Sequence, residues 1–160
     1  MSDDSSIIKI GPAGKENGEI WDEKGNNKIA QIFICHDSNN IYSIQFQYLK
    51  NGALIMSKRH GKQSIGFKFD VVKLNYSTEY ITWISGFTFS NYVASITFGT
   101  NLGQYGPFGM LTSTRYCCEF KFHVADQFDG FHGSANIYGV LSIGVYLKPT
   151  TTVVANVKSE

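Results

Sequence analysis

The sequence predicts an all-β domain, and three observations carry that prediction. Apolar residues recur with a period of two: Tyr42, Ile44, Phe46 and Tyr48 share one face of 41–49, while Ser43, Gln45 and Gln47 share the other. Composition agrees, with 16 glycines, 14% aromatic residues and only 17% charged residues, against about 25% charged in ordinary globular chains. No segment carries the i, i+3, i+4, i+7 spacing of a capped amphipathic helix over three turns. At 160 residues the chain fits one domain. It can bury about 70% of its unfolded surface, so neither a disulfide nor a metal is needed to hold its core.

The strands follow in order. Segments 29–35, 41–49, 66–74, 81–87, 92–99 and 140–147 are rich in β-branched and aromatic residues. In 118–124, Cys118, Phe120, Phe122 and Val124 alternate with Glu119, Lys121 and His123, which predicts a half-buried strand with His123 exposed. Turn chemistry separates these runs: Gly25-Asn26-Asn27, Asn39-Asn40, Asn51-Gly52, Gly61, Asn101-Leu102-Gly103, Gly106-Pro107 and Gly133-Ser134. Asn51-Gly52 is a two-residue hairpin signal, because both central residues of a type I′ turn need a positive φ. Short strands at this spacing fit a sandwich, a barrel or a prism of several sheets, and periodicity does not choose among them. Residues 1–7 and 150–160 are read as tails flanking a packed domain at 8–149.

Composition and motifs exclude several functions. A formal charge of +1 gives no excess to hold a polyanion. The densest basic run, Lys58-Arg59-His60 with Lys62, reads as a solvated turn, so nucleic-acid binding is not expected. No apolar run reaches the 18 or so residues of a membrane span, and the polar, acidic start carries no secretory pattern. The three cysteines, Cys35 and adjacent Cys117-Cys118, read as reduced, buried thiols of a cytoplasmic protein. In that compartment the sequon at Asn75-Tyr76-Ser77 stays unused. The histidines are far apart, and His36-Asp37 reads as turn polarity. Nucleophile elbows, phosphate loops and metal-ligand spacings are absent. No catalytic residue, metal or cofactor is expected, and the chain is not read as an enzyme.

Glycine-bounded loops at sheet ends offer backbone N–H groups to a ligand without a Cβ in the way. Gly11-Pro12-Ala13-Gly14, Asn17-Gly18 and Trp21-Asp22 open the chain in this manner. Then come Tyr80-Ile81-Thr82, Ser95-Ile96-Thr97-Phe98, Tyr105-Gly106-Pro107-Phe108-Gly109, Gly130-Phe131-His132-Gly133 and Ile143-Gly144-Val145-Tyr146. In this order the blocks resemble the jacalin-related lectins, of the mannose-preferring type with a single uncleaved chain. Ile8-Lys9-Ile10-Gly11-Pro12, Arg59-His60-Gly61 and Gly144-Val145-Tyr146-Leu147-Lys148-Pro149 resemble the plant antiviral members of that family. Among these, the potexvirus-resistance type is the nearer match, beside the type that restricts potyvirus movement.

The resemblance implies a β-prism I of three four-stranded antiparallel sheets with pseudo-threefold symmetry. It also implies a sugar site joining Gly18 of the first loop to Tyr138, Gly139, Val140 and Leu141 of the last hairpin, with Phe89, Asn91 and Tyr92 on a flanking loop. Leu141 stands where the family pattern places an aspartate, and from Gly130 onward the only acid is the terminal Glu160. Hydrogen bonds to a charged acceptor contribute about 1.5–3 kcal/mol each, while a millimolar site totals about 4 kcal/mol. Mannose binding is therefore expected to be weak or absent, the alternative being a functional mannose/glucose-binding lectin that recognises glycans through the Gly18 and 138–141 loops. The expected partners are a weakly held carbohydrate, a viral or host protein, and a second copy of the chain, in an antiviral role.

Overall fold

The computed structural model describes residues 6–62 and 67–149. Gly66 of the predicted segment 66–74 and nearly all of both predicted tails lie outside the described residues. Among the described residues, thirteen strands run in the order β1 (Ile8–Gly14), β2 (Glu19–Asp22), β3 (Ile29–His36), β4 (Ile41–Lys50), β5 (Ala53–Met56), β6 (His60–Gly61) and β7 (Lys68–Lys73). They continue with β8 (Ile81–Phe89), β9 (Tyr92–Thr100), β10 (Gln104–Gly109), β11 (Cys118–His123), β12 (Phe128–Asn136) and β13 (Gly139–Leu147).

These strands form three antiparallel sheets, β1-β13-β12-β2, β5-β4-β3-β7 and β10-β9-β8-β11, with β6 pairing the far end of β4. β5 and β6 take turns along one edge, so each sheet is four strands wide, as expected of the prism. Each is built on a central hairpin: β12–β13, β3–β4 and β8–β9. Asn51 and Gly52 take φ of 52° and 80°, as the two-residue hairpin between β4 and β5 requires.

Inward-facing positions of the three sheets meet in one core. Phe131 of β12 stacks on Phe46 of β4 at 4.8 Å and meets Phe98 of β9 edge-on at 5.9 Å. All three are at most 1% exposed, and Ile32, Ile34, Ile84, Ile143 and Val145 close around them.

Two predicted breaks are strand interior instead. Gly133-Ser134 lies inside β12, where a β-carbon on Gly133 would collide with the Ser142 carbonyl and stand 2.7 Å from the Trp21 ring. The glycine is there for close approach, and the turn comes at Ile137–Tyr138. Gly106-Pro107 sits in a bulge of edge strand β10, as Gly11-Pro12 does in edge strand β1. A residue without an N–H is tolerated at such positions.

Three readings of polar residues are corrected. His60 is not solvated: it is 9% exposed, stacks on Trp21 at 4.3 Å and bonds Glu23 at 2.7 Å. His36 is not turn polarity: it is buried, with Nε2 2.6 Å from Asp70 Oδ2 and Nδ1 accepting the Gly109 N–H. Of the thiols only Cys35 is buried, while Cys117 is half-exposed and Cys118 exposed. His123 is exposed, as its place in the alternation requires.

Two further buried groups contribute to the acid response. Glu79 accepts hydrogen bonds from the Thr100 and Tyr105 hydroxyls and the Asn75 N–H. Burial alone would raise its carboxyl, but these bonds outweigh it and hold the group below its ordinary 4.5. His132 donates from Nε2 to the Ile10 carbonyl at 2.9 Å and leaves Nδ1 without a partner. Burial holds it below its ordinary 6.5.

Both depressed groups take up protons more readily in the unfolded chain, so each makes stability fall with falling pH, from about 6.5 for His132 and about 4.5 for Glu79. Urea midpoints measured against pH are expected to decline across both windows. A His132→Gln variant should flatten the first slope, and Glu79→Gln should flatten the second and cost about 1–3 kcal/mol at neutral pH.

Candidate functional site

The loops expected from the sequence to form a sugar site meet at one end of the first sheet. There the loop 15–18 between β1 and β2 joins the β12–β13 turn and the first residues of β13. Ala135 pairs with Val140 and Ser134 with Ser142, which leaves Leu141 as the extra residue of a β-bulge. The Leu141 carbonyl accepts the Lys15 N–H at 3.2 Å and so fastens the first loop to β13.

The Leu141 side chain is 4% exposed. A β-carbon added at Gly18, whose φ is +78°, would stand 2.9 Å from Leu141 Cδ1 and 2.6 Å from the Ala135 carbonyl oxygen. The two residues that sequence reasoning linked are therefore in contact, with an isobutyl group lying against the glycine. Val140 points the other way and is 1% exposed in the core, so it does not line the site.

Several polar groups of both loops are engaged internally. The amides of Tyr138 and Gly139 both donate to Asn136 Oδ1, at 2.8 and 3.1 Å. The Asn17 amide donates to the Lys15 carbonyl. The Ser134 hydroxyl donates to the same carbonyl at 3.1 Å and lies 2.7 Å from the Ser142 hydroxyl, which must then donate to Ser134. Asp22, at the end of β2, accepts the Tyr146 hydroxyl at 2.8 Å and the Lys24 amide at 2.9 Å. Burial first, and the Asp22 carboxylate second, push the Tyr146 phenol far up. That pair is a structural lock, not a free acid beside the loop.

The remaining predicted residues divide. Tyr138 is exposed at the turn. Tyr92 packs its ring over Gly139, about 3.4 Å from where a β-carbon would stand. Phe89, at the end of β8, and Asn91, in the β8–β9 turn, line a recess of about 420 Å³ with Gly14, Lys15 and Tyr116. This recess adjoins the first loop without including Leu141. On the other side of the β12–β13 turn, Glu19, Arg59 and Asn136 line a smaller recess of about 290 Å³. Sequence reasoning missed Lys15 and Glu19, whose only signal was their place beside the loop glycines. Among the described residues, no three or more His, Cys, Asp or Glu side chains converge to hold a metal ion. No helix of the described residues is long and apolar enough to cross a membrane.

The family model for the jacalin-like lectin domain matches residues 10–146. Protein Restricted TEV Movement 1 of Arabidopsis thaliana is 43% identical over 155 residues, covering 90% of this chain and 88% of that protein. Jacalin-related lectin 2 of the same plant is 41% identical, covering 89% and 87%. Among solved structures, a mannose binding jacalin related lectin from Ananas comosus superposes with a TM-score of 0.74 at 29% identity, covering 91% of this chain and 99% of that one. With three antiparallel sheets around one core and a family match over nearly the whole described chain, this protein belongs to the jacalin-like lectin domain family.

Proposed function

We propose that this chain is a jacalin-type lectin-domain protein of plant antiviral defence, acting in the cytoplasm to restrict virus accumulation. It recognises a viral or host protein and binds mannose weakly or not at all through the Gly18 and Tyr138–Leu141 loops. The observation that carries this reading is the contact of Leu141 with Gly18, together with the capture of both turn amides by Asn136. A sugar entering here would meet an apolar group at the position the family pattern gives to a carboxylate. It would also have to displace Asn136 to reach the amides.

The likeness to Restricted TEV Movement 1 supports the antiviral part. The mannose binding relative from Ananas comosus is less similar in sequence. We read the protein as a binding module without catalytic activity. At this end of the prism, the phenolic and aromatic groups at Tyr138 and Phe89 are the remaining contacts for a glycan, through C–H faces stacked on rings.

Calorimetric titration with methyl α-mannoside and with mannotriose is expected to give no saturable heat at millimolar sugar. A dissociation constant of about 1 mM or tighter, equivalent to about 4 kcal/mol, would return the protein to the mannose-lectin reading.

In plants challenged with a potexvirus or a potyvirus, expression of the wild-type chain should lower virus accumulation. The Leu141→Ala and Asn136→Ala variants, which disturb the loops, should restrict as well as wild type does. Restriction that rose and fell with mannose affinity across such variants would defeat the protein-recognition reading.

A further inference from the structure

The outer face of the sheet β10-β9-β8-β11 carries a groove of about 450 Å³ that shares no residue with the Gly18–Leu141 contact. Its floor contains Ser85, Ser95 and Thr97. Ile96 and Phe98 point into the core at 1% and 0% exposure, so Ser95 and Thr97, which alternate with them along β9, point outward. They are nonetheless only 2% and 7% exposed, because the groove walls stand over them. Among the described residues, none of the three hydroxyls has a hydrogen-bond partner. None is sealed inside the protein either, so their oxygens open into the groove.

The register fixes what surrounds them. Lys121 stands beside Ser85 and Glu119 beside Phe87 on the β11–β8 pair. Across β8–β9, Ser85 faces Thr97 and Phe87 faces Ser95. Beyond one end the Trp83 ring lies over Gly99, where a β-carbon would collide with it, and the Lys121 ammonium sits 4.5 Å from the ring centroid. Pro107 and Leu111 form the apolar wall on the β10 side.

We propose that this groove is a second ligand site and that its ligand is a saccharide unit, a neutral ring bearing several hydroxyls. Charge and hydrogen-bond chemistry select that class. An anion would meet the Glu119 carboxylate and a cation the Lys121 ammonium. A hydrocarbon would strip water from three hydroxyls and supply nothing in return. Sugar hydroxyls both donate and accept, as Ser and Thr hydroxyls do. They can donate a hydrogen bond to Glu119, accept one from Lys121, and lay a C–H face on Phe87. The volume falls within the range of about 300–1,000 Å³ common for small-molecule sites. This site is independent of the loop reading above, since no residue of either loop contributes to it.

Amide chemical shifts of ¹⁵N-labelled protein, titrated with methyl α-mannoside, methyl β-galactoside, N-acetylglucosamine and sucrose, test the proposal. At high millimolar concentration at least one sugar should shift the amides of Ser85, Phe87, Ser95, Thr97 and Glu119. Ser95→Ala/Thr97→Val should weaken that binding about tenfold or more, and Glu119→Gln should weaken it several-fold. Thr97→Ser keeps the hydroxyl and should retain binding, which separates a lost contact from a misfolded variant. The proposal is overturned if no sugar moves these amides. Shifts that survive in the folded double variant, or that are confined to residues 15–18 and 136–141, overturn it equally.

Discussion

Three phenylalanines, one from each sheet, meet at the centre of this molecule. Phe131 stacks on Phe46 and receives the edge of Phe98, and burial of rings this size stabilises by about 1.5–3 kcal/mol each before any gain from ring geometry. Because side chains alternate along a strand, fixing these inward positions fixes every outward one. Once Phe98 is inside, Thr97 must face out, and once Phe131 is inside, His132 must face out. A one-residue slip would bury Thr97 and expose Phe98, so the register tolerates no drift. The ends of the prism and the outer sheet faces are then the surfaces on which the sequence is free to build recognition.

How much of this was readable in advance depended on distance along the chain. The alternation Tyr42, Ile44, Phe46, Tyr48 is local and gave strand β4 directly, and Asn51-Gly52 gave the hairpin after it. Glycines were ambiguous. Gly133 looked like a turn because the sequence does not display the Trp21 ring and Ser142 carbonyl that demand its missing side chain. Pairs formed across sheets left no pattern at all. His36 and Asp70 are 34 residues apart and His60 and Glu23 are 37 apart, and only the folded register brings each pair together. At the site, Leu141 was identifiable by position because the loop follows a recognisable family block. Asn136 was not, since nothing local distinguishes a solvated asparagine from one that caps two amides.

The polar groups of the outer faces fall into two kinds. Some are locked, like Asp22 with Tyr146 or Glu79 with Thr100 and Tyr105, and these hold the sheets to their loops. Others stand in recesses without a protein partner among the described residues, like Ser95 and Thr97. The distinction matters because a lock contributes to stability, and a ligand could use it only by breaking it. An open hydroxyl on a rigid central strand is already held in place, and binding to it costs little ordering.

The same distinction underlies the proposal that the first loop and the last hairpin make a poor mannose site. Leu141 buries an apolar side chain against Gly18, stabilising by about 1.5–3 kcal/mol. Asn136 satisfies two turn amides for about 0.5–1.5 kcal/mol each. Together these terms, about 2.5–6 kcal/mol, are comparable to the roughly 4 kcal/mol that a millimolar sugar gains in total. An aspartate at 141 would not restore the balance by itself. Its carboxylate would occupy a position that is 4% exposed, where burial penalises the charge, while the amides that could bind it or a sugar remain on Asn136. Leucine at 141 and asparagine at 136 thus act as a unit: the first removes the acceptor a sugar would need, and the second occupies the two turn amides. On the reading proposed above, this corner of the prism is closed to a sugar by its packing, and recognition proceeds from other surfaces.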